Sequence, residues 1–584
     1  MVRATFAGFT TAISALQANQ KRLDITGQNL ANMNTVGYTR QQLQVSSVNY
    51  RNPISHYMNG SEISVGFGVH MDTVAQIRDP FMDIQYRNQM QKSGYTNALQ
   101  ISYDRLAEFF DESHIDGIRQ AFDNIQDTLE KMSNPAMIND PIYETHLRTQ
   151  MQALTNLLNQ GAEDIERAKM EEYNRLDGTG TSEQGAIQRV NDILQQVGAL
   201  NRRIKENQIH GQPSLELMDE RNVLIDELSS YIPIEVTYKK DAEHDGFITD
   251  AAGNIIGEDL SETYHLDSSG RPIMKKEWPD DLYINMKYKD ENGVLQNIEL
   301  VSGTEGAGEE NHMKLVIPHD KEILDTTDKT YGPGDVSIEF YELDAEGNPG
   351  AGAGLLISKD KNEFPDDCGS IQAGLDMLWK GGDPGDDVRG YDYYMNELDT
   401  LAKAFSEVMN TLNTTGEGDP DYILFINKTT NTAADITAAN IGISQDWISG
   451  KVHISKKGEN ANDTVMNMLA SMTATYPYDK FKDDAGNIIL DDIDLDNNSF
   501  ANYMNHVSTV LANDSYSNQN ALKTNVTVLN GIQNSRDSVS GVSLDEEASN
   551  MMMYMSAYSA ASRLMTTLDQ ALDVLINGTG VVGR

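Results

Sequence analysis

Apolar side chains recur at helical spacing along both ends of this 584-residue chain, and nowhere so plainly between. Near the start Phe9, Leu16, Leu23 and Leu30 stand seven apart, with Phe6 and Ile13 in the companion positions. The companion series then weakens to Gln20 and Gly27, so this seam should grip its partner less tightly than an all-apolar one. Near the end Met551, Tyr554, Tyr558, Ala561, Met565, Leu568, Leu572 and Leu575 alternate spacings of three and four, and Leu544 extends the series. The segment "SLDEE" opens that second helix, with Ser543 as N-cap and acids in the first turn.

Two such seams at opposite ends are expected to meet as a coiled coil; the plainer alternative is a pair of ordinary amphipathic helices on separate domains. A single terminal helix buries too little apolar surface to offset the ordering of its backbone, and even a pair should stay loose until further chains pack against it. Charge is consistent with pairing but steers it weakly. Residues 1–50 hold Arg3, Lys21, Arg22 and Arg40 against Asp24, whereas 541–584 hold five acids against Arg563 and Arg584.

The ends therefore cancel, and the formal charge of −44 resides in the middle of the chain. So acidic a surface repels nucleic acid and anionic lipid. No apolar run approaches the roughly 18 residues that span a bilayer, so neither a nucleic-acid partner nor membrane insertion is expected. Thr, Ser and Gly interrupt the first twenty residues at helical spacing, which argues against a cleaved signal peptide. Cys368 is the single cysteine, so no intrachain disulfide can form.

At this length about two to four domains are expected. After a short hairpin read in "SEISVGFGVHMDTVAQI", long helical patterns fill about 79–230, then β-branched runs such as "IPIEVTYKK" and "LYINMKYKD" take over. The turns Asp250–Asn254, Asp290–Gly293, Asp344–Asn348 and Asp484–Asn487 share hairpin chemistry. Helix returns with "GYDYYMNELDTLAKAFSEVMNTLN" and again from about 499. The expected fold is multidomain and mainly α, with nested, discontinuous domains. Residues 1–50 and 540–584 form the terminal coiled coil. Residues 51–234 and 366–539 form a central helical bundle with a small acidic insertion at about 474–497, and 235–365 an inserted β-rich outer domain.

Catalytic patterns are missing. HExxH, GxSxG and the Walker loop are absent, and no two of the eleven histidines stand at i, i+4. "DDIDLDNNSFANY" alternates Asp492, Asp494 and Asp496, but Asn497 and Tyr503 replace the glycine and glutamate of a calcium loop, so it reads as solvated. The methionines at 551, 552, 553, 555 and 565 read as packing, mostly on the seam. No enzyme, cofactor or metal centre is expected.

"ISALQANQKRLDITGQNLANMNTVGYTRQQ" resembles the N-terminal signature of the flagellar rod, hook and hook-associated axial proteins. It matches at Ser14, Ala15, Leu16, Leu23, Asn29, Ala31, Asn32, Thr35, Gly37 and Tyr38. "SGVSLDEEASNMMMYMSAYSAASRLMTTLDQALDVLIN" is similar to the matching C-terminal signature, with Met555 where glutamine is common. "GYTRQ", "LMDERNVLIDELS" and "LDTLAKAFSEVMNTLN" look like the hook–filament junction members. The resemblance implies an extracellular structural adaptor, exported uncleaved through the flagellar type III channel with a cytoplasmic chaperone on the C-terminal helix region. It implies a homo-oligomeric ring between hook protein and a second hook-associated junction protein. Tyr38 and Arg40 would lie at the bend between inner tube and outer domain. A hook subunit is the alternative in the same class. A secreted enzyme carried on flagellar helices and a cytosolic coiled-coil adaptor are the alternatives outside it.

Overall fold

A computed structural model of the protein describes residues 7–48, 68–110, 112–178, 184–240, 247–249, 255–258, 264–266, 272–274, 279–303, 310–318, 336–344, 347, 354–359, 361–382, 386–457, 460–477 and 493–578. Helix α1 (Ala7–Ala31) leads into an antiparallel hairpin of β1 (Gln41–Ser47) and β2 (Val69–Gln76). The long helices follow: α2 (Pro80–Phe109), α3 (Glu112–Met132), α4 (Pro141–Asp177), α5 (Ala186–Ile209) and α6 (Leu215–Tyr231). Their starts are written locally. Asp79 and Asp140 each cap a helix whose first residue is proline, accepting from Phe81 N at 2.9 Å and Ile142 N at 3.0 Å.

The β segment is a set of small, separate sheets. Strands β3 (Ile234–Lys239), β8 (Asp281–Lys289) and β9 (Leu295–Ser302) pair antiparallel in the order β3-β8-β9. Between them lie two hairpins, β4 (Phe247–Thr249) with β5 (Ile255–Glu258) and β6 (Tyr264–Leu266) with β7 (Pro272–Met274). A second sheet joins β10 (Met313–Val316), β11 (Ile338–Glu342) and β12 (Leu355–Ile357). The β8–β9 turn forms at Asp290, where Gly293 N donates to Asp290 O at 2.7 Å and Gly293 takes φ +74°. The two three-stranded sheets share one apolar core with the helices, in which Ile284, Leu315 and Phe340 are buried with Ile193, Leu194 and Val197, and β8, β9 and β10 pack on α5.

The chain returns through α7 (Ser370–Trp379), α8 (Tyr391–Glu417), the short pair β13 (Phe425–Asn427) and β14 (Ile441–Ile443), α9 (Gln445–Ile448) and α10 (Asp463–Thr473). It ends in α11 (Phe500–Ser540), α12 (Leu544–Asp573) and a π-turn over Val574–Gly578. Phe405 sits at the centre of an aromatic cluster with Phe122, Phe425 and Phe500, ring centroids 5.3–5.5 Å away. That cluster anchors the first turns of α11, where Phe500, Tyr503, Met504, Val507 and Leu511 are buried.

Beyond Leu511, α11 runs antiparallel along α2 on polar contacts. Asn518 Nδ2 donates to Thr96 O at 2.9 Å, and Gln89 Nε2 donates to Asn525 Oδ1 at 3.1 Å. The hairpin departs from expectation in one respect: β2 pairs with a strand that begins before residue 50, because Leu43 and Val45 are needed against α1. Several features read from the sequence lie wholly or partly outside the described residues: Phe6, the start of the "SEISVGFGVHMDTVAQI" segment (61–67), the turn at Asp250–Asn254, part of the turn at Asp344–Asn348, and most of the acidic insertion (478–492), with its turn at Asp484–Asn487 and Asp492.

Candidate functional site

Helices α1 and α12 lie antiparallel, so that Gly8 approaches Leu568 and the Arg22 guanidinium stands 5.5 Å above the Tyr554 ring. On α1, Phe9, Leu16, Leu23 and Leu30 are half-buried, and Ile13 is 43% exposed. The fully buried residues of α1 are different ones, Ala12, Ala18, Asn19, Ile25, Thr26 and Asn29; Ala18 and Ile25 pack on Leu43 of the hairpin. On α12, Ala561 is buried, Met551, Tyr554, Met565, Leu568 and Leu572 are half-buried, and Tyr558 is exposed. Leu544 is 55% exposed in the first turn, and Leu575 lies in the closing π-turn.

Three methionines depart from the seam reading. Met552, Met553 and Met555 are exposed on the outer surface of α12, because neighbours of Met551 and Tyr554 at one residue's remove are rotated about 100° around the helix. The pair thus carries apolar surface on two sides, one against itself and one outward.

Where α1 ends, a joint begins. Asn32 closes the helix, its amide nitrogen and its side-chain Nδ2 both donating to Gln28 O at 3.1 Å, and Thr35 Oγ1 donates to Asn32 Oδ1 at 3.2 Å. Gly37 takes φ +78°, and a Cβ there would lie 2.2 Å from Val223 Cγ2. Asn29 then organises the return of the chain. Its Oδ1 accepts from Tyr38 Oη at 2.9 Å and Gln41 N at 3.0 Å, while its Nδ2 donates to Gln41 O at 3.0 Å. Burial, with Asp219, Glu216 and Glu547 nearby, pushes the Tyr38 phenol up to about 12, so it stays a hydrogen-bond donor.

Three further contacts fasten the joint to the bundle and to the descending chain. Thr39 donates to Asp219 through both N (3.1 Å) and Oγ1 (2.7 Å), and burial raises the Asp219 carboxyl. Arg40 N donates to Ser540 O at 2.8 Å, and the Arg40 guanidinium pairs with Glu546. Ser543 caps α12 by accepting from Glu546 N. Below them Arg78 pairs with Asp83 at 2.6 Å, while Arg87 at 2.8 Å and Arg536 at 2.6 Å both hold Asp226. Arg536 also lies 4.1 Å from the centroid of the Tyr86 ring.

The joint therefore gathers the expected Asn29, Asn32, Thr35, Gly37, Tyr38 and Arg40, and adds Asp219, Asp226, Arg78 and Arg536. One sequence signal could have found two of these. Asp219 and Asp226 stand seven apart on α6, hence on one helix face, and that face is buried. Gly37 is placed by its left-handed backbone and its closeness to Val223, and each of the others is held by hydrogen bonds or ion pairs, which is chemistry suited to fixing one chain segment against another.

Three family models match the chain. One described as flagellar hook-associated protein FlgK helical domain covers residues 103–272, one described as flagella basal body rod protein covers 9–39, and one described as flagellar basal body rod FlgEFG protein C-terminal covers 533–578. Flagellar hook-associated protein 1 of Bacillus subtilis is 26% identical over 595 residues, 99% of each chain. The proteins of that name from Salmonella typhimurium and Escherichia coli are 23% and 22% identical, each over 97% of this chain and 98% of theirs. Among solved structures, the flagellar hook junction protein FlgK from Burkholderia pseudomallei aligns with a TM-score of 0.36 and 15% identity, over 59% of this chain and 46% of that one.

Proposed function

The chain belongs to the flagellar hook-associated protein 1 family, a family of structural flagellar proteins, and from that premise we propose that it is the adaptor between hook and filament. It leaves the cell through the flagellar type III channel and assembles into a ring through α1 and α12. Its neighbours in the axis are hook protein on one side and a second hook-associated protein on the other. Residues 1–50 with 540–584 are the inner, assembling part; 51–234 with 366–539 and the β-rich 235–365 face outward.

One observation supports this most. The small apolar cluster of Ala18, Ile25 and Leu43 joins α1 to the hairpin and includes no residue of α12, whose only fully buried apolar residue among the described ones is Ala561, yet the two helices present Ile13, Leu544, Met552, Met553, Met555 and Leu564 to solvent. Such an exposed apolar surface on a helix with so little of its side fully buried is suited to burial against copies of itself and axial neighbours, and to a chaperone that covers α12 before export.

Deletion of the gene is the decisive experiment. Hooks should remain while filament subunits are shed as monomers into the medium, and the wild-type gene should restore attached filaments. Attached filaments in the deletion strain would remove the proposal. Loss of hooks instead would favour the hook-subunit alternative.

A further inference from the structure

Helix α8 carries the chain away from the joint. At its start Arg389 Nη1 and Tyr394 Oη donate to the Asp514 carboxylate of α11, at 2.8 and 3.3 Å; Phe405 then packs on Phe500, the first residue of α11, and α8 ends beyond it at Glu417. Helix α11 returns over 41 residues, about 60 Å at 1.5 Å each, to Ser540 in the joint. The end of the bundle near Glu417 is therefore remote from α1 and α12.

At that end the first turns of α4, the close of α8 and residues 450–457 enclose a pocket of 460 Å³. Arg148, His453, Lys456 and Lys457 line it, against Glu144 and Glu417. Both carboxylates are turned inward. Glu144, its side chain 12% exposed, accepts from Trp447 Nε1 and Ile454 N, both at 3.2 Å, with His453 Nδ1 3.5 Å away. Glu417, 11% exposed, accepts from Ser455 Oγ at 3.0 Å and pairs with Lys457 Nζ at 2.5 Å. The acids just outside hold backbone: Asp140 accepts from Ile142 N and Asp419 from Asp421 N, both at 3.0 Å. Two cations are left over. Arg148 donates to Trp447 O at 2.9 Å and makes no ion pair among the described residues, and the exposed Lys456 has neither a hydrogen bond nor an ion pair among them.

With three permanent cations and two acids in its lining, the pocket is opposite in sign to a chain of 89 acidic and 45 basic residues. A ring of more than two copies is closed by heterologous contacts, in which one surface of each copy meets a different surface of the next. A cationic pocket on an acidic chain supplies two such unlike surfaces in one molecule, and their opposite charges select that pairing over like against like. Met137 and Ile142, 39% and 72% exposed and within two residues of the lining Asn139 and Pro141, add apolar area beside the charges.

We propose that this pocket docks the acidic surface of a second copy of the chain, an incoming Asp or Glu carboxylate pairing with Lys456 and Arg148. The contact presupposes the ring assembly read above and gives it a second point of attachment, at the opposite end of the bundle from the terminal helices.

Zero-length cross-linking with a carbodiimide tests the contact, because the reagent activates a carboxylate and a touching amine then displaces the urea, leaving an amide between the two side chains. Sheared flagella and dilute free chain are treated in parallel, and the products are separated by mass and digested. In flagella a species of twice the chain mass is expected, carrying a peptide with Lys456 joined to an Asp or Glu peptide; the free chain should lack it. Lys457 and Glu417, already paired within one chain, should link in both samples and show that the reagent acts. Lys456→Gln should lose the interchain link and keep the Lys457 link, while Arg148→Gln or added salt should lower the interchain yield. A Lys456 link that is missing from flagella, equally present in the free chain, or made to a different protein would overturn the contact and leave the ring reading standing. Absence of the chain from sheared flagella would remove both.

Discussion

Arg40 and Glu546 are 506 positions apart in the chain and form an ion pair at the level where the terminal helices meet the helical bundle. The backbone repeats the link, since Arg40 N donates to Ser540 O at 2.8 Å. Because the Glu546 side chain is 62% exposed, water screens the ionic part. A double-mutant cycle of Arg40→Ala and Glu546→Ala, read by urea unfolding, should give a coupling of about 0.2–1 kcal/mol that shrinks with added salt. A coupling well above that range would mean the pair is a structural lock.

Asn29 should matter more than the charged pair. It is 1% exposed and makes three hydrogen bonds, two of them to the Gln41 backbone. Asn29→Ala strands a buried N–H and a buried C=O, and should cost about 2–4 kcal/mol; Tyr38→Phe removes one donor and should cost about 0.5–1.5 kcal/mol. Equal costs in thermal unfolding would contradict this ordering.

Gly37 tests the turn. Gly37→Ala combines a left-handed backbone with a Cβ 2.2 Å from Val223 Cγ2, and should destabilise the joint by about 1–3 kcal/mol. Adding Val223→Ala relieves the contact but not the dihedral, so the double variant should recover part of the loss and not all of it. Full recovery would show that φ carries no strain here.

Asp376 supplies a pH dependence. Burial, opposed by Lys380 and Tyr95, pushes its carboxyl up to about 6 in the folded chain. The folded state thus holds a proton that the unfolded state has released between pH of about 4 and 6, and stability falls as pH rises through that window. Relative to Asp376→Asn, the wild type should lose about 2–3 kcal/mol between pH 4 and 7 when urea unfolding is followed at each pH. A difference independent of pH would place the carboxyl in water.

Assembly should show in hydrogen exchange. Amides of α1 and α12 in the free chain should exchange through local openings, far faster than those of α8 around Phe405. In sheared flagella the same terminal amides should slow by at least about a hundredfold. Equal protection in both states would leave the terminal pair with no need of neighbours.

Much of the local structure was legible because its causes are local. Ser543 caps α12, Gly37 takes the left-handed turn and Asp290 closes the β8–β9 hairpin, each from chemistry within four residues. The three-and-four spacing on α12 places Met551, Tyr554, Ala561, Met565, Leu568 and Leu572 on its less exposed side. The outward turn of Met552, Met553 and Met555 follows from the same helical arithmetic once the facing helix is located.

The amino-acid order by itself determined where helices start and stop, which face of each is apolar, and that this acidic chain has the two terminal signatures of a flagellar axial protein. Only the tertiary structure decided which partner each face meets. α1 gives its buried Ala18 and Ile25 to Leu43 of the hairpin, and Asp219 and Asp226 on α6 hold Thr39, Arg87 and Arg536. The reason is physical. Periodicity records how a side chain points from its own backbone, whereas a buried hydrogen bond or ion pair depends on two backbones brought together across hundreds of residues, and packing of the whole core sets that distance.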